Sequence, residues 1–161
     1  MDVPGHLVAL RRHSEDLRDR THGGVETRGD KERVFEQAVQ LLDPVARQAL
    51  AEVDQYLLEG AGEIHDSGMQ RDGDGTTSRT WSLSWPEQRH RGISAVEIVA
   101  WFGATFHHPH LRGATVRDWA LNVYTEPDAQ ELLPILRAVV AADVHNLIFQ
   151  ADWRIIPAMR R

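Results

Sequence analysis

The chain has 161 residues, no cysteine and a formal net charge of −6, with 42% apolar and 26% charged residues. This length suits one domain with a core of its own, and the lack of cysteine excludes disulfides and thiolate metal sites. The acidic balance argues against nucleic-acid binding, which needs a basic face. No apolar run reaches the roughly 18 residues that span a bilayer, and the first residues lack a signal-peptide pattern. We therefore expect a cytoplasmic protein with no membrane partner.

The first part of the chain is predicted to be separate from the body. Residues 1–31 contain the apolar set Leu7, Val8, Leu10 and Leu17. This set suits a short helix, which glycines then interrupt. We interpret residues 1–31 as an N-terminal arm that docks on the body or on a second subunit, and residues 32–161 as a single α+β domain. Helical spacing resumes at Lys31, and Asp43-Pro44 predicts the start of a second helix.

A hairpin is predicted next, with strands over residues 63–70 and 77–85. Trp81, Leu83 and Trp85 alternate with serines, which is the period of a half-buried strand. The turn between the strands is Asp72-Gly73-Asp74-Gly75, whose residue types favour a tight reversal.

A third main helix is predicted after the hairpin. Ser94 and Glu97 have the spacing of a capping box, and Ile93 with Ile98 forms the matching hydrophobic staple. A proline disfavours helical geometry in the residue before it, so this helix is expected to end near His107 and His108.

The remaining elements predict one sheet covered by helices. The stretch TVRDWALNVYT after Gly113 alternates as a strand of about ten residues does. A last helix starts near Thr125 and is kinked or restarted at Pro134, and residues 153–157 suit a short edge strand. The element order predicts an α+β two-layer sandwich, with a mixed or antiparallel sheet of about four strands and helices on one face. The nearest general architecture is ferredoxin-like, whose open sheet face is one that homodimers often cover.

The main functional signal is FHHPHLRG at residues 106–113, which carries three histidines in four positions. A helix C-terminus raises the pKa of a histidine placed there, so His107 and His108 are predicted to act as acid and base. His110 and Asp118 would orient a small polar substrate in a pocket beside residues 107–110. The remaining predicted substrate contacts are Arg112, which would neutralise an anionic group, and the aromatic residues Trp101, Trp119 and Tyr124.

Three other interpretations of the cluster stay open. One is a divalent metal site formed by His107, His108, His110 and His65, although the spacing matches no established zinc motif. The acid–base hypothesis, by contrast, needs no cofactor. The second open interpretation is a non-catalytic accessory or inhibitor protein that binds its partner through the arm or the tryptophan-bearing sheet. In the third, the histidines simply cap the helix end.

His107-His108-Pro109, between a hairpin and a strand, resembles a motif of the pterin-4a-carbinolamine dehydratases. That family has a small α+β fold in which a helix ends in His-His-Pro. The resemblance implies a lyase in which His107 and His108 dehydrate a hydroxylated bicyclic pterin. The family's third histidine has no counterpart here, since Glu126 follows Thr125.

Overall fold

The sheet has six strands whose order follows the chain. In the computed structural model, which describes residues 2–161, the order is β1-β3-β4-β5-β6 with β2 also paired to β3, and all neighbours are antiparallel. The strands are β1 (Glu63–Asp66), β2 (Gln70–Arg71), β3 (Thr77–Ser84), β4 (Val96–Phe102), β5 (His110–Arg112) and β6 (Trp119–Ala120). The α+β two-layer class is confirmed. The meander has more strands than expected, and it lacks the crossovers that define a ferredoxin-like sheet.

Two long helices cover one face of this sheet. The helices are α1 (Gly5–Asp19), α2 (Arg28–Val53), α3 (Pro86–His90), α4 (Glu126–Glu131) and α5 (Leu133–Gln150). Their buried residues join those of the sheet in one core, which includes Phe35 and Leu42 of α2 and Val140 of α5. A short π-helical turn, Asp54–Leu58, extends α2.

The predicted hairpin is confirmed, and its alternation decides which face is buried. Trp81 and Leu83 of β3 are fully buried against the helices, opposite Ile98 and Val96 of β4. The residues between them, such as Ser82, point to the other side of the sheet and are partly exposed. We call the side that α2 and α5 cover the helix face, and the other the second face.

The predicted helix after Ser94 is wrong, because residues 96–102 form the central strand β4. This strand pairs with β3 on one side and with β5 on the other. Val99, on the second face, is also largely buried, so the segment lacks the clean polar alternation of a half-buried strand. Pairing along both edges outweighs the local capping signal at Ser94 and Glu97.

Three further boundaries differ from the predictions. Helix α2 runs straight through Pro44, so no second helix starts there. The carboxylate of Asp43 instead accepts hydrogen bonds from the guanidinium of Arg79 and the indole of Trp81. The long strand predicted after Gly113 shortens to β6, since Asp118 has a left-handed φ of 58°. The predicted C-terminal strand is two 3₁₀ turns, Trp153–Ile155 and Pro157–Arg160.

The last helix is the most apolar segment of the protein. Pro134 restarts the chain there, as predicted, in the first turn of α5. Residues 126–150 are long and apolar enough, by length and composition, to cross a membrane. In this fold α5 buries residues such as Leu136, Val140 and Val144 in the shared core.

The N-terminal helix α1 packs differently from the others. It lies beside β6 and has no fully buried residue. The chain then reverses through residues 20–27, where His22 and Val25 exchange two backbone hydrogen bonds of 3.0 and 3.1 Å. A Cβ on Gly23, at φ 58°, would lie 2.9 Å from side-chain atoms of Tyr124 and Val34, so this reversal is closely packed.

Candidate metal centre

Three histidines from separate parts of the chain meet at the end of the sheet. They are His13 of α1, His108 of the β4–β5 loop and His110 of β5. One nitrogen from each ring lies within 4.8 Å of those of the other two. The ring centroids of His13 and His108 are 3.9 Å apart, and those of His108 and His110 are 4.7 Å apart. We call these three residues the histidine cluster.

His110 is positioned by the register of β5. It pairs with Trp101 of β4 and with Ala120 of β6. Paired residues of neighbouring strands project to the same side, so His110 and Trp101 both lie on the second face. Their rings stack at 5.5 Å with 30° between the planes, and Phe106 meets His110 edge-on at 5.4 Å. These aromatic contacts fix the orientation of the imidazole.

His108 is positioned by a loop that an arginine holds in place. The guanidinium of Arg28, at the start of α2, donates hydrogen bonds to the carbonyls of Phe102, Gly103 and Phe106 at 2.9–3.2 Å. The same guanidinium stacks 3.6 Å above the Phe102 ring. Because the carbonyls before His108 are anchored to α2, the loop directs His108 toward His110.

His13 is delivered by α1 through a small set of polar contacts. Asn122 donates a side-chain hydrogen bond of 3.4 Å to the carbonyl of Ala9, one helical turn before His13. Lys31 donates one of 2.8 Å to the carbonyl of Arg20 at the end of the helix. Arg12 also lies 3.9 Å from Asp128, and Asp16 lies 3.7 Å from His22, so polar contacts and the histidine cluster hold a helix that has no fully buried residue.

The cluster is buried, and its polar atoms lack protein partners. His108 and His110 are 5% and 6% exposed. Both ring nitrogens of His108 and the Nδ1 atoms of His13 and His110 are shielded from solvent and make no hydrogen bond within residues 2–161. A buried polar atom without a partner costs about 1–3 kcal/mol, so a native fold normally retains one for a reason.

Burial also disfavours the protonated form of all three rings. It lowers the pKa of His108 to about 3, with a further contribution from the neighbouring His13 and His110. Burial lowers the pKa of His110 as well, although Asp118 acts against it. Burial likewise lowers the pKa of His13 against the opposing effect of Asp16. For His108 this is opposite to the expected rise, since no helix ends beside it.

Neutral imidazoles with free nitrogen lone pairs are metal ligands. Zn–N bonds of about 2.0–2.1 Å in tetrahedral geometry require nitrogens about 3.3 Å apart. The 4.8 Å limit within the cluster is close enough for small side-chain rotations to reach that spacing. Three histidines with one further position for water or substrate form a donor set of catalytic zinc sites.

The structure brings some of the predicted site residues together and leaves others apart. His107 is exposed and is not one of the three converging histidines. His65 lies on β1, at the opposite edge of the sheet from β6. Asp118 is exposed and makes no hydrogen bond with its side chain in the described chain, but its charge acts on His110. Arg112 lies on β5 two residues from His110, with its guanidinium carbon 5.9 Å from the centre of the Trp101 ring.

The other two predicted aromatic contacts, Trp119 and Tyr124, are not among the aromatic neighbours of the histidine cluster. Trp119 of β6 lines a cavity of about 630 Å³ between the sheet edge, α1 and α4, together with Val8, Ala9 and Asn122. The Tyr124 hydroxyl lies 3.3 Å from Nδ1 of buried His22, and burial raises the Tyr124 pKa to about 12.

Sequence reasoning missed His13 as a member of the cluster. His13 is flanked by Arg12 and Ser14 in a charged segment, with no motif around it. The one available signal was the predicted docking of an N-terminal helix on the body. Docking alone does not show which residues of the helix face the body.

Comparison with protein-family models, curated proteins and solved structures finds no significant match to this chain. The resemblance to the pterin-4a-carbinolamine dehydratases therefore stays a hypothesis.

Proposed function

We propose that the protein binds one divalent transition-metal ion, with zinc as the best fit, through His13, His108 and His110. The observation that carries this proposal is the convergence of three ring nitrogens within 4.8 Å, two of them on rings that are more than nine-tenths buried and lack partners. A metal ion would give a partner to one nitrogen of each ring.

The donor set selects among metals. Imidazole nitrogen suits zinc, copper, iron and nickel, whereas calcium and magnesium prefer oxygen ligands. The cluster contains no carboxylate, and zinc accepts tetrahedral coordination by three histidines and a fourth ligand.

The proposal assigns the chemistry of the site to a Lewis acid instead of to protonated histidines. A general acid needs a pKa near the working pH, and burial holds the pKa of His108 at about 3. A bound dication would polarise a small polar substrate or lower the pKa of a bound water. The dehydratase-like lyase remains a separate hypothesis that depends on His107.

We place this activity in the cytoplasm. The absence of cysteine and the packing of the most apolar helix within the core support that assignment.

Metal titration tests the proposal. We expect one zinc ion per chain in competition with a chromophoric chelator, and an affinity loss of about 100-fold or more in His108→Ala and in His110→Ala, because each removes a direct ligand. His107→Ala is the matched control, since it removes an adjacent imidazole that lies outside the cluster. Circular dichroism checks that each variant folds.

Equal zinc affinity in the wild type, His108→Ala and His110→Ala would overturn the proposal. A loss of affinity in His107→Ala or His65→Ala, with the cluster variants unaffected, would instead favour the histidine set expected from the sequence.

A further inference from the structure

We infer that the metal-bound cluster and Arg112 together bind a small oxyanion, so that the substrate or product of this site carries a carboxylate or a tetrahedral oxyanion group. This inference rests on the proposed metal site and names the class of molecule that the site would take.

Arg112 is unusual among the arginines of this protein. Most of the others form ion pairs with a carboxylate, as Arg79 does with Asp66 and Arg137 does with Glu52. Arg112 is half-buried, and no carboxylate of residues 2–161 lies within 4.0 Å of its guanidinium. Its Nε is shielded from solvent and has no hydrogen-bond partner. A half-buried guanidinium left unpaired is costly, and an anionic ligand would remove that cost.

The fold places Arg112 next to the cluster. His110 and Arg112 are two residues apart on β5, so their side chains project from the same face at a Cα spacing of about 6.8 Å. Both contact the same neighbour, because the Trp101 ring centre is 5.5 Å from the His110 ring and 5.9 Å from the Arg112 guanidinium. His110 and Arg112 therefore flank the same indole ring on one face of the sheet.

Trp101 supplies another donor at the same place. Its indole Nε1 is shielded from solvent and has no hydrogen-bond partner, as is also true of Arg112 Nε. Indole N–H and guanidinium N–H groups donate and cannot accept, so both select for an acceptor-rich ligand. An oxyanion presents several acceptor oxygens.

Charge favours an anion as well. Three neutral imidazoles leave the +2 charge of a bound metal ion uncompensated, and Arg112 adds another positive charge on the same face. An anion that binds a metal ion through one oxygen and accepts hydrogen bonds from a guanidinium through others is held more strongly than by either group alone.

Small polar side chains of β3 lie beside Trp101 on the second face. Helices α2 and α5 cover the helix face, and Ser78 and Thr80 of β3 on the second face are partly exposed. Ser78 pairs with Trp101, which places a small side chain beside the indole ring. Helices α2 and α5 therefore do not lie over this part of the sheet.

Cobalt substitution tests the inference with a readout that does not require turnover. Cobalt(II) replaces zinc in the folded protein, and its visible absorption reports whether an anion enters the coordination sphere. Acetate serves as the carboxylate probe and sulfate as the tetrahedral oxyanion probe. We expect at least one of them to change the spectrum saturably, and the more effective anion identifies the class.

Arg112→Gln should bind cobalt as the wild type does and bind the effective anion about tenfold more weakly, since a charged hydrogen-bond donor is lost. Arg112→Lys keeps the positive charge but cannot donate two parallel hydrogen bonds. Its anion affinity should therefore lie between those of the wild type and Arg112→Gln. Arg117→Gln is the matched control, because it removes an exposed arginine of the next loop.

The outcomes separate the two proposals. A cobalt spectrum that neither anion alters, or one that anions alter equally in Arg112→Gln and the wild type, overturns the oxyanion inference and leaves the metal site standing. Failure of the wild type to bind cobalt or zinc overturns both.

Discussion

Two polar clusters lie on opposite faces of the sheet, and they differ in whether their atoms have partners. On the helix face, Asp66 accepts hydrogen bonds of 2.6–2.9 Å from Arg79 and one of 2.7 Å from Arg47. Asp43 pairs with the same two arginines and accepts a 2.7 Å bond from the Trp81 indole. We call these five residues the Asp66 network. In the histidine cluster on the second face, four ring nitrogens have no partner.

The contrast distinguishes structural from ligand-binding polar groups. In the Asp66 network each charge faces an opposite charge, and the arginines hold the pKa of Asp66 well below its usual range. Such a network gains nothing from a further ligand. The histidine cluster has neutral rings and unused lone pairs, so it is incomplete without a ligand.

Among the substitutions, the largest loss of stability is expected from a change in the Asp66 network. Asp66→Asn removes the charge that pairs with Arg79 and Arg47, so the free energy of unfolding should fall by about 2–3 kcal/mol in urea denaturation. Zinc affinity should not change, because the network lies across the sheet from the histidine cluster.

Glu52→Gln is the control for this experiment. Glu52 forms an exposed ion pair with Arg137, so its loss should cost about 0.5 kcal/mol or less. An Asp66→Asn variant as stable as Glu52→Gln would mean that the Asp66 network does not stabilise the fold.

The second prediction is a gain in stability at the histidine cluster. His108→Leu replaces a buried ring that lacks partners by an apolar side chain, so the metal-free protein should gain about 1 kcal/mol of unfolding free energy while it loses zinc binding. The measurement is urea denaturation in the presence of a chelator. His107→Leu, at an exposed position, should change stability little. If His108→Leu destabilised the metal-free protein, the ring would have a structural role that the free nitrogens do not indicate.

The third prediction concerns the pH dependence of stability. The pKa values of His13, His108 and His110 are lowered by folding, so the unfolded chain binds more protons below about pH 6.5, the ordinary histidine value. The metal-free protein should therefore lose stability as the pH falls from 6.5 to 4.5.

In His108→Leu the pH dependence should become weaker and should not vanish. His13 and His110 still titrate, and His22, whose pKa burial lowers to about 4, contributes in the same direction. Thermal unfolding at several pH values measures the slope. An unchanged slope in His108→Leu would show that His108 is not the buried neutral ring described above.

Local sequence patterns predicted those elements whose apolar spacing and turn residues match the burial and pairing that they have in the fold. The β1–β3 hairpin was predictable because Trp81 and Leu83 alternate with serines and the turn residues favour a reversal. The restart at Pro134 was predictable because proline lacks the amide that a helix interior needs.

Strand β4 was missed because its local and tertiary signals disagree. Ser94 and Glu97 match a capping box, yet residues 96–102 pair along both edges, and Val99 is buried on the second face as well. A strand in that position loses the alternation from which strands are recognised. The error extended to the site, since the expected rise in histidine pKa depended on a helix end.

The candidate site was only partly predictable, because local sequence motifs reveal residues that are close in the chain. His108 and His110 were found because they are adjacent in a short motif, whereas His13 joins them through the docking of α1. No spacing rule connects residues so far apart in the chain. The convergence of the three rings is a property of tertiary structure alone.

The short reversal at residues 20–27 keeps the proposed third ligand, His13, tethered to the rest of the site. Because only residues 20–27 separate α1 from Arg28, which contacts the β4–β5 loop, an undocked α1 would still hold His13 on a short tether beside His108 and His110. The effective concentration of a ligand on so short a tether is in the millimolar range or above. Capture of a metal ion by His108 and His110 would thus be completed by an intramolecular step, and an insertion that lengthened the tether would weaken zinc binding without altering any ligand.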